Sequence, residues 1–177
     1  MHSNQFQAVI DQMHQDEAAY LHAILVDTAI KTNDIDLLKE LRNREFIEAC
    51  ENNNVEQVIL MLKDPNIDPA TNDNEPFCVA CLENHIEIVR LLLQNPLVDP
   101  SADDNFAIRV ASSKNYLDLV DLLLRDPRVD PSAHDNAAIQ LACQDNHVEI
   151  VKLLLSDPRV DPSTKNNITI RSLSRLH

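Results

Sequence analysis

Hydrophobic and polar positions along this chain fall into blocks that recur at a fixed interval. Residues 86–93 place apolar side chains at i, i+2/i+3, i+6 and i+7, and copies of this stretch begin at Leu117 and Val148. Wound into a helix, such a stretch has one broad apolar face. A shorter apolar segment precedes each copy, and an Asn separates the two segments. The pattern predicts two helices joined by a tight link in every block.

Proline marks the ends of these blocks. Each second segment stops at Asn95-Pro96, Asp126-Pro127 or Asp157-Pro158, and a helix ends there because the residue before Pro is driven out of the α region. The next blocks open at Asp68-Pro69, Asp99-Pro100, Asp130-Pro131 and Asp161-Pro162, which are 31 residues apart. One such unit cannot bury its apolar face alone, whereas stacked units can. The expected fold class is therefore all-α, a solenoid of helix-turn-helix units with short finger loops.

The same frame extends towards both ends of the chain. An earlier unit covers 37–67, and a shortened unit without the polar finger covers 17–36, because Ala29 and Ala49 are only 20 residues apart. Phe6, Val9, Ile10 and Met13 form a narrow apolar stripe before it. We predict an N-terminal capping helix over 1–16 and a repeat domain over 17–177. The repeat domain comprises the units 17–36, 37–67, 68–98, 99–129 and 130–160 and a half-unit cap over 161–177.

The chain has no Gly, although every link between its helices needs a left-handed residue. Asn84, Asn115 and Asn146 stand at the link, and Asn is the best residue other than Gly for that conformation. We predict left-handed backbone at these three positions.

Charge and composition exclude several classes of function. The formal net charge is −14, with 15 Lys and Arg against 29 Asp and Glu, so the chain repels phosphate backbones and anionic membranes. It lacks Trp, and it has neither a signal-like start nor an apolar run long enough for a membrane helix. We expect neither a nucleic acid nor a membrane as partner. We expect the chain to be a soluble, cytoplasmic, monomeric protein with reduced thiols, and its partner to be a basic protein.

Cys78-x-x-Cys81 is the sharpest candidate for chemistry, as a redox dithiol or half of a metal site. The structural interpretation fits better, because Cys50, Cys81 and Cys143 share one repeat column with Ser112, and that column demands a small buried side chain. His85 and His147 also share a column, so we predict a role in the fold. We predict no enzyme activity, no metal and no cofactor, since a chain without Gly has no Gly-rich phosphate loop.

These units resemble the ankyrin repeat. Pro76 stands where the family motif Thr-Pro-Leu-His has its Pro, Ala80 occupies the core Ala position, and residues 86–93 match the second helix. The unit is two residues shorter than usual, and the Thr and His of the motif are lost. The shortened, Asp-Pro-marked unit is similar to arrays in amoebae, giant viruses and intracellular bacteria.

The resemblance implies a protein-binding scaffold that uses its concave side, made of finger tips and exposed first-helix positions. Phe106 is expected to be an exposed anchor, whereas Asn74, Asn105 and Asn136 are expected to cap the first helices. The alternative is a regulatory or inhibitory effector acting on a host enzyme or signalling complex, in the host cytoplasm if it is secreted. The candidate partner-binding residues are Asp73, Leu82, Asp103, Asp104, Phe106, Arg109, Lys114, His134, Asp135, Gln140 and Gln144.

Overall fold

The computed structural model describes residues 19–160, and all regular secondary structure in that range is helical. This confirms the all-α fold class. The helices are α1 (19–32), α2 (Ile35–Glu51), α3 (Val55–Met61), α4 (Thr71–Leu82), α5 (Ile86–Leu93), α6 (Ala102–Ser113), α7 (Leu117–Leu124), α8 (Ala133–Gln144) and α9 (Val148–Ser156). The predicted caps, 1–16 and 161–177, lie outside the described residues.

The link between the helices of a repeat has the predicted left-handed residue. The amide of His85 donates to the carbonyl oxygen of Ala80 at 2.8 Å across Asn84, which closes the helix end in the manner of a Schellman motif. The left-handed position recurs with φ from 54° to 62° at Asn33, Asn53, Asn84, Asn115 and Asn146. The prediction for Asn84, Asn115 and Asn146 is confirmed, and two further Asn residues share it.

Helix α2 is unusually long for this array because no finger interrupts it. It runs without a break from Ile35 to Glu51, through the predicted boundary between units 17–36 and 37–67. The expected absence of a finger in this part of the chain is confirmed. Backbone packing divides the chain within α2 into two compact units, 1–45 and 46–177.

Between residues 46 and 160 the helices form two layers. The first helices α4, α6 and α8 pack side by side, the second helices α3, α5, α7 and α9 do the same, and each first helix packs on the second helix of its repeat. Aliphatic side chains fill the space between the layers, where burying one Leu or Ile contributes about 1.5–3 kcal/mol. The largest of them are Ile88, Leu92, Ile108, Leu119, Leu123, Ile139, Ile150 and Leu154.

Small side chains allow the first helices to approach this core closely. Ala80, Ala111 and Ala142 are fully buried, and the next column is buried as well at Cys50, Cys81, Ser112 and Cys143. The predicted small, buried column is therefore confirmed. Within residues 19–160, no helix combines the length and the apolar character needed to cross a bilayer.

Candidate functional site

In the repeats that contain α4, α6 and α8, the finger is a turn of three consecutive left-handed residues. Asn72, Asp73 and Asn74 have φ of 51°, 57° and 66°, and residues 103–105 and 134–136 repeat this geometry. Left-handed backbone costs roughly 1–2 kcal/mol per residue for most side chains, and Asn and Asp tolerate it best. We name residues 72–74, 103–105 and 134–136 the finger turns. Their first two side chains are exposed.

The third residue of a finger turn connects two repeats. The side-chain oxygen of Asn74 accepts a hydrogen bond from the amide of Asp99 at 2.8 Å, and that of Asn105 accepts one from the amide of Asp130 at 2.7 Å. The expectation that Asn74 and Asn105 cap their own first helices is wrong, since this oxygen faces the next repeat. Asn136 has the same left-handed conformation and is also buried.

After each finger turn, the first helix presents one half-buried face. In α6 this face consists of Phe106, Arg109, Val110 and Ser113, at i, i+3, i+4 and i+7. The expectation of an exposed ring at Phe106 is wrong: the ring is half-buried, because α6 packs between α4 and α8. We name the equivalent positions of α4, α6 and α8 the first-helix face, which comprises Glu75, Cys78, Val79, Leu82, Phe106, Arg109, Val110, Ser113, Ala137, Gln140, Leu141 and Gln144.

Several candidate polar residues form internal hydrogen bonds from this face. Arg109 Nη2 donates to the carbonyl oxygen of Asp103 at 2.9 Å, and Gln140 Nε2 donates to that of Asp135 at 2.6 Å. Both side chains thereby hold the finger turn of their own repeat, which gives them a role in the fold.

Lys114 is directed to the preceding repeat. Its Nζ donates to the carbonyl oxygen of Leu82 at 3.0 Å and lies 5.9 Å from the ring centre of Tyr116. The ammonium group is thus held at the C-terminal end of α4, where the helix dipole favours a positive charge.

Successive finger turns come close to each other. His134 Nδ1 lies 4.0 Å from Asp104 Oδ2, and both side chains are exposed. The exposed carboxylates of the finger turns belong to Asp73, Asp103, Asp104 and Asp135. The finger turns therefore form one acidic edge beside the first-helix face. Two further candidate residues lie near the C-terminal ends of the first helices: Leu82 is half-buried in α4, and Gln144 is exposed in α8.

The histidine column has the predicted role in the fold. His85 Nε2 donates to the carbonyl oxygen of Glu51 at 2.8 Å, and His147 Nδ1 donates to that of Ser112 at 3.0 Å. Tyr116, in the same column, reaches the carbonyl oxygen of Leu82 at 3.5 Å. Each histidine ring thus pairs a carbonyl group at the end of a first helix in the preceding repeat, and the Tyr116 hydroxyl shares the Leu82 carbonyl oxygen with Lys114.

The cysteines are free thiols in environments that oppose ionisation. Burial raises the pKa of Cys50 to about 12 and that of Cys81 well above its ordinary value. Burial, together with the charges of Asp103 and Glu75, raises the pKa of Cys78 to about 11. Since the thiolate is both nucleophile and metal ligand, these environments disfavour redox and metal chemistry. Within residues 19–160, no group of three or more His, Cys, Asp or Glu side chains is arranged to hold a metal ion.

Two arginines that are not among the predicted site residues, Arg128 and Arg159, join successive repeats. Arg159 donates from Nη1 to the carbonyl oxygen of Val129 at 2.6 Å and from Nη2 to that of Leu124 at 2.9 Å, while Asp157 accepts from its Nε and Nη2. Arg128 makes the equivalent bonds one repeat earlier. The signal in the sequence is the segment Asp-Pro-Arg-Val-Asp-Pro, which occurs at 126–131 and at 157–162.

Comparison with known families agrees with this architecture. A model described as ankyrin repeats (3 copies) matches residues 17–135, and a model of the single ankyrin repeat matches residues 134–167. A search of the curated proteins returned no match. Ankyrin repeats are generally protein-protein interaction modules, and proteins built from them are typically scaffolds without enzymatic activity. Because the first match alone covers more than half of the sequence, the chain belongs to the ankyrin repeat family.

Proposed function

We propose that the chain binds a basic segment of a protein partner along the finger turns and the first-helix face. The observation that carries this proposal is the row of exposed carboxylates at Asp73, Asp103, Asp104 and Asp135. Arg109 Nη2 lies 3.8 Å from Asp103 Oδ2, and His134 Nδ1 lies 4.0 Å from Asp104 Oδ2. A histidine offsets a carboxylate only when it is protonated, so the carboxylates of Asp73, Asp104 and Asp135 contribute most to the negative potential, which the net charge of −14 reinforces.

Binding would draw on several repeats at once. Each finger turn contributes one or two carboxylates, and exposed ion pairs are individually worth only about 0–1 kcal/mol. A partner therefore has to contact at least three turns to gain useful affinity. The turns suit this purpose, since Asn74 and Asn105 tie the first two of them to the next repeat.

The test compares two triple variants that remove the same charge from different faces. Asp73→Asn/Asp104→Asn/Asp135→Asn neutralises one exposed carboxylate per finger turn. Glu87→Gln/Asp118→Asn/Glu149→Gln is the matched control, because it removes three exposed carboxylates from the second helices. Immobilised full-length chains capture proteins from a eukaryotic lysate, and mass spectrometry quantifies what each chain retains.

We expect the finger variant to lose proteins that the native chain and the second-helix variant both retain. The same proteins should leave the native chain when salt is raised, because exposed charges are screened within about 10 Å at 0.1 M salt. Equal recovery on all three chains would contradict the acidic edge as the binding surface.

We further propose that the protein acts as a monomer in a reducing compartment such as the cytoplasm. The support is chemical: Cys50, Cys81 and Cys143 are buried thiols that the first-helix packing uses as small apolar side chains. Sedimentation velocity in the presence of a thiol reductant tests the monomeric state, and the same measurement without reductant shows whether thiols pair between chains when the reductant is absent. A dimer that persists with the reductant present would contradict the proposal.

A further inference from the structure

The first-helix face has an apolar row beside its acidic edge. Val79, Val110 and Leu141 occupy the same position in three adjacent helices, and all three side chains are half-buried. Val79 and Val110 are partly buried and pack against the core. Leu82 and Phe106 extend this surface within α4 and α6. A partly exposed apolar row in register with exposed carboxylates is complementary to a segment that is apolar on one side and basic along one edge.

We propose that the partner segment is an amphipathic α-helix whose apolar stripe lies on Val79, Val110 and Leu141 and whose Lys or Arg edge faces the finger turns. This inference rests on the proposed function and specifies its partner. Charge complementarity fixes the lateral orientation. The finger side of the face carries Asp73, Asp103, Asp104 and Asp135, whereas its other side is mixed, with Glu83, Lys114 and Asp145 exposed.

The spacing of the row favours an α-helix over a strand. Neighbouring packed helices lie about 8–10 Å apart, so the row repeats at about that distance. Residues seven apart on an α-helix are separated by roughly 10.5 Å and share one face. Same-face positions of a β-strand are separated by roughly 6.6 or 13 Å, and both distances lie further from the upper end of that range than the helical 10.5 Å does. A partner helix of about 15 residues would therefore place three apolar turns over α4, α6 and α8.

The width of a helix also fits the distance between the row and the acidic edge. Val79 follows the last finger residue, Asn74, by five positions, or about 7.5 Å along α4. A helix is about 10–12 Å across with its side chains. A Lys or Arg on its flank therefore reaches the carboxylates while its apolar stripe stays on the row.

The experiment uses the full chain and a synthetic peptide of about 15 residues with Leu in heptad spacing, Lys along one edge and Gln elsewhere. Three matched peptides are the controls: one with the same residues in scrambled order, one with Glu in place of Lys, and one with a central Pro. Fluorescence anisotropy gives the affinities, circular dichroism the helicity on binding, and NMR of the unmodified protein the contact surface.

We expect each control peptide to bind at least about tenfold more weakly than the designed peptide, a difference of about 1.4 kcal/mol. The designed peptide should gain helicity on binding, and shifts should centre on Val79, Val110 and Leu141. A Val79→Thr/Val110→Thr variant, which keeps the side-chain shape, should weaken binding, and its own circular dichroism reports whether it folds. NMR on the native chain keeps the proposal testable if that variant unfolds.

Equal affinity for the scrambled or Pro-containing peptide, or shifts confined to α5, α7 and α9, would overturn the proposal. The two levels of inference fail separately. Suppose that the finger variant loses its captured proteins, but that the scrambled and Pro-containing peptides bind as tightly as the designed peptide. The acidic edge is then supported as the binding surface, and the helical partner is rejected. If neither effect is seen, both fall.

Discussion

Arg128 donates a hydrogen bond from Nη1 to the carbonyl oxygen of Val98, 2.8 Å away and one repeat earlier in the chain. Its Nη2 reaches the carbonyl oxygen of Leu93 at 2.8 Å, and the carboxylate of Asp126 accepts from Nε and Nη2 at 3.0 and 2.7 Å. One guanidinium group therefore joins the loop of its own repeat to two backbone groups of the preceding one. The planar fork of Arg makes this geometry possible, which the ammonium group of Lys cannot reproduce.

We call the hydrogen bonds that Arg128 makes to Asp126, Leu93 and Val98 the arginine joint. Removing this joint should destabilise the array. For Arg128→Ala we expect a loss of about 1.5–3 kcal/mol in the free energy of unfolding, the usual range for hydrogen bonds from a charged group. Arg128→Lys should recover little of it. Arg125→Ala is the control, because its exposed i,i+4 pair with Asp121 contributes only about 0.3–0.5 kcal/mol. Urea unfolding measures the free energy of unfolding of all three variants. Similar losses for Arg125→Ala and Arg128→Ala would contradict a stabilising role for the hydrogen bonds of Arg128.

The joint can be installed where the chain lacks it. Asn95 and Leu97 occupy the positions of Asp126 and Arg128, and both loops have the same bond from the third residue's amide to the first residue's side chain, at 3.0 Å. Leu97 is 64% exposed, so replacing it sacrifices little burial. We expect Asn95→Asp/Leu97→Arg to raise the unfolding free energy by about 1 kcal/mol. Leu97→Arg alone should raise the free energy of unfolding by less. An unchanged urea midpoint for the double variant would show that the new guanidinium group does not reach carbonyl oxygens of the preceding repeat.

Acid should weaken the same joints. The hydrogen bonds from Arg128 and Arg159 lower the pKa of Asp126 and Asp157 below the ordinary value. A carboxylate with a lowered folded-state pKa contributes stability that is complete above its unfolded pKa, about 3.9, and is lost as pH falls through the folded value. Urea midpoints measured from neutral pH to about pH 3 should fall for the native chain. For the variant Asp126→Asn/Asp157→Asn, the urea midpoint should depend less on pH. If the midpoints of the variant and of the native chain fall in parallel, the loss of stability does not come from protonation of these two carboxylates.

Replacement by Gly should affect two left-handed asparagines, Asn84 and Asn105, to different degrees. Asn105 uses its side-chain oxygen to accept from the amide of Asp130, whereas the buried side-chain oxygen of Asn84 has no hydrogen-bond partner. Gly keeps the left-handed backbone at either site. We expect Asn105→Gly to cost about 1–2 kcal/mol, and Asn84→Gly to cost less than about 0.5 kcal/mol or to stabilise. Thermal and urea unfolding compare them, and equal losses would show that backbone conformation alone matters.

Thiol reactivity distinguishes a structural from a chemical role for Cys78 and Cys81. With a pKa raised to about 11, Cys78 should react with an aromatic disulfide reagent at pH 8 at least about tenfold more slowly than an ordinary thiol, because its smaller thiolate fraction outweighs the higher nucleophilicity of a more basic thiolate. Cys81, which is fully buried, should be slower still. The urea-unfolded chain is the internal reference, in which all 4 cysteines should react at the ordinary rate. A fast thiol in the folded chain would reopen the redox interpretation.

Much of the fold could be predicted because the repeat samples the same environment several times. The left-handed Asn at each link followed from the absence of Gly, and the buried small column followed from the equivalence of Cys50, Cys81, Ser112 and Cys143. The candidate surface was less predictable. A column of exposed-looking polar residues does not reveal that Arg109, Gln140 and Lys114 have internal acceptors, because those acceptors are backbone carbonyls and carry no sequence signal.

The sequence by itself determined the helical repeat, its period, the absent finger in α2 and the acidic character of the finger turns, since all of these depend on local conformational preference and on residue type. Only the tertiary structure decided that Asn74 and Asn105 bind the next repeat, that Phe106 is half-buried, and that Arg128 reaches Leu93 and Val98. Each of these depends on how neighbouring repeats stack. Stacking brings together groups 25 to 35 positions apart, and the periodicity of a single unit does not specify that distance.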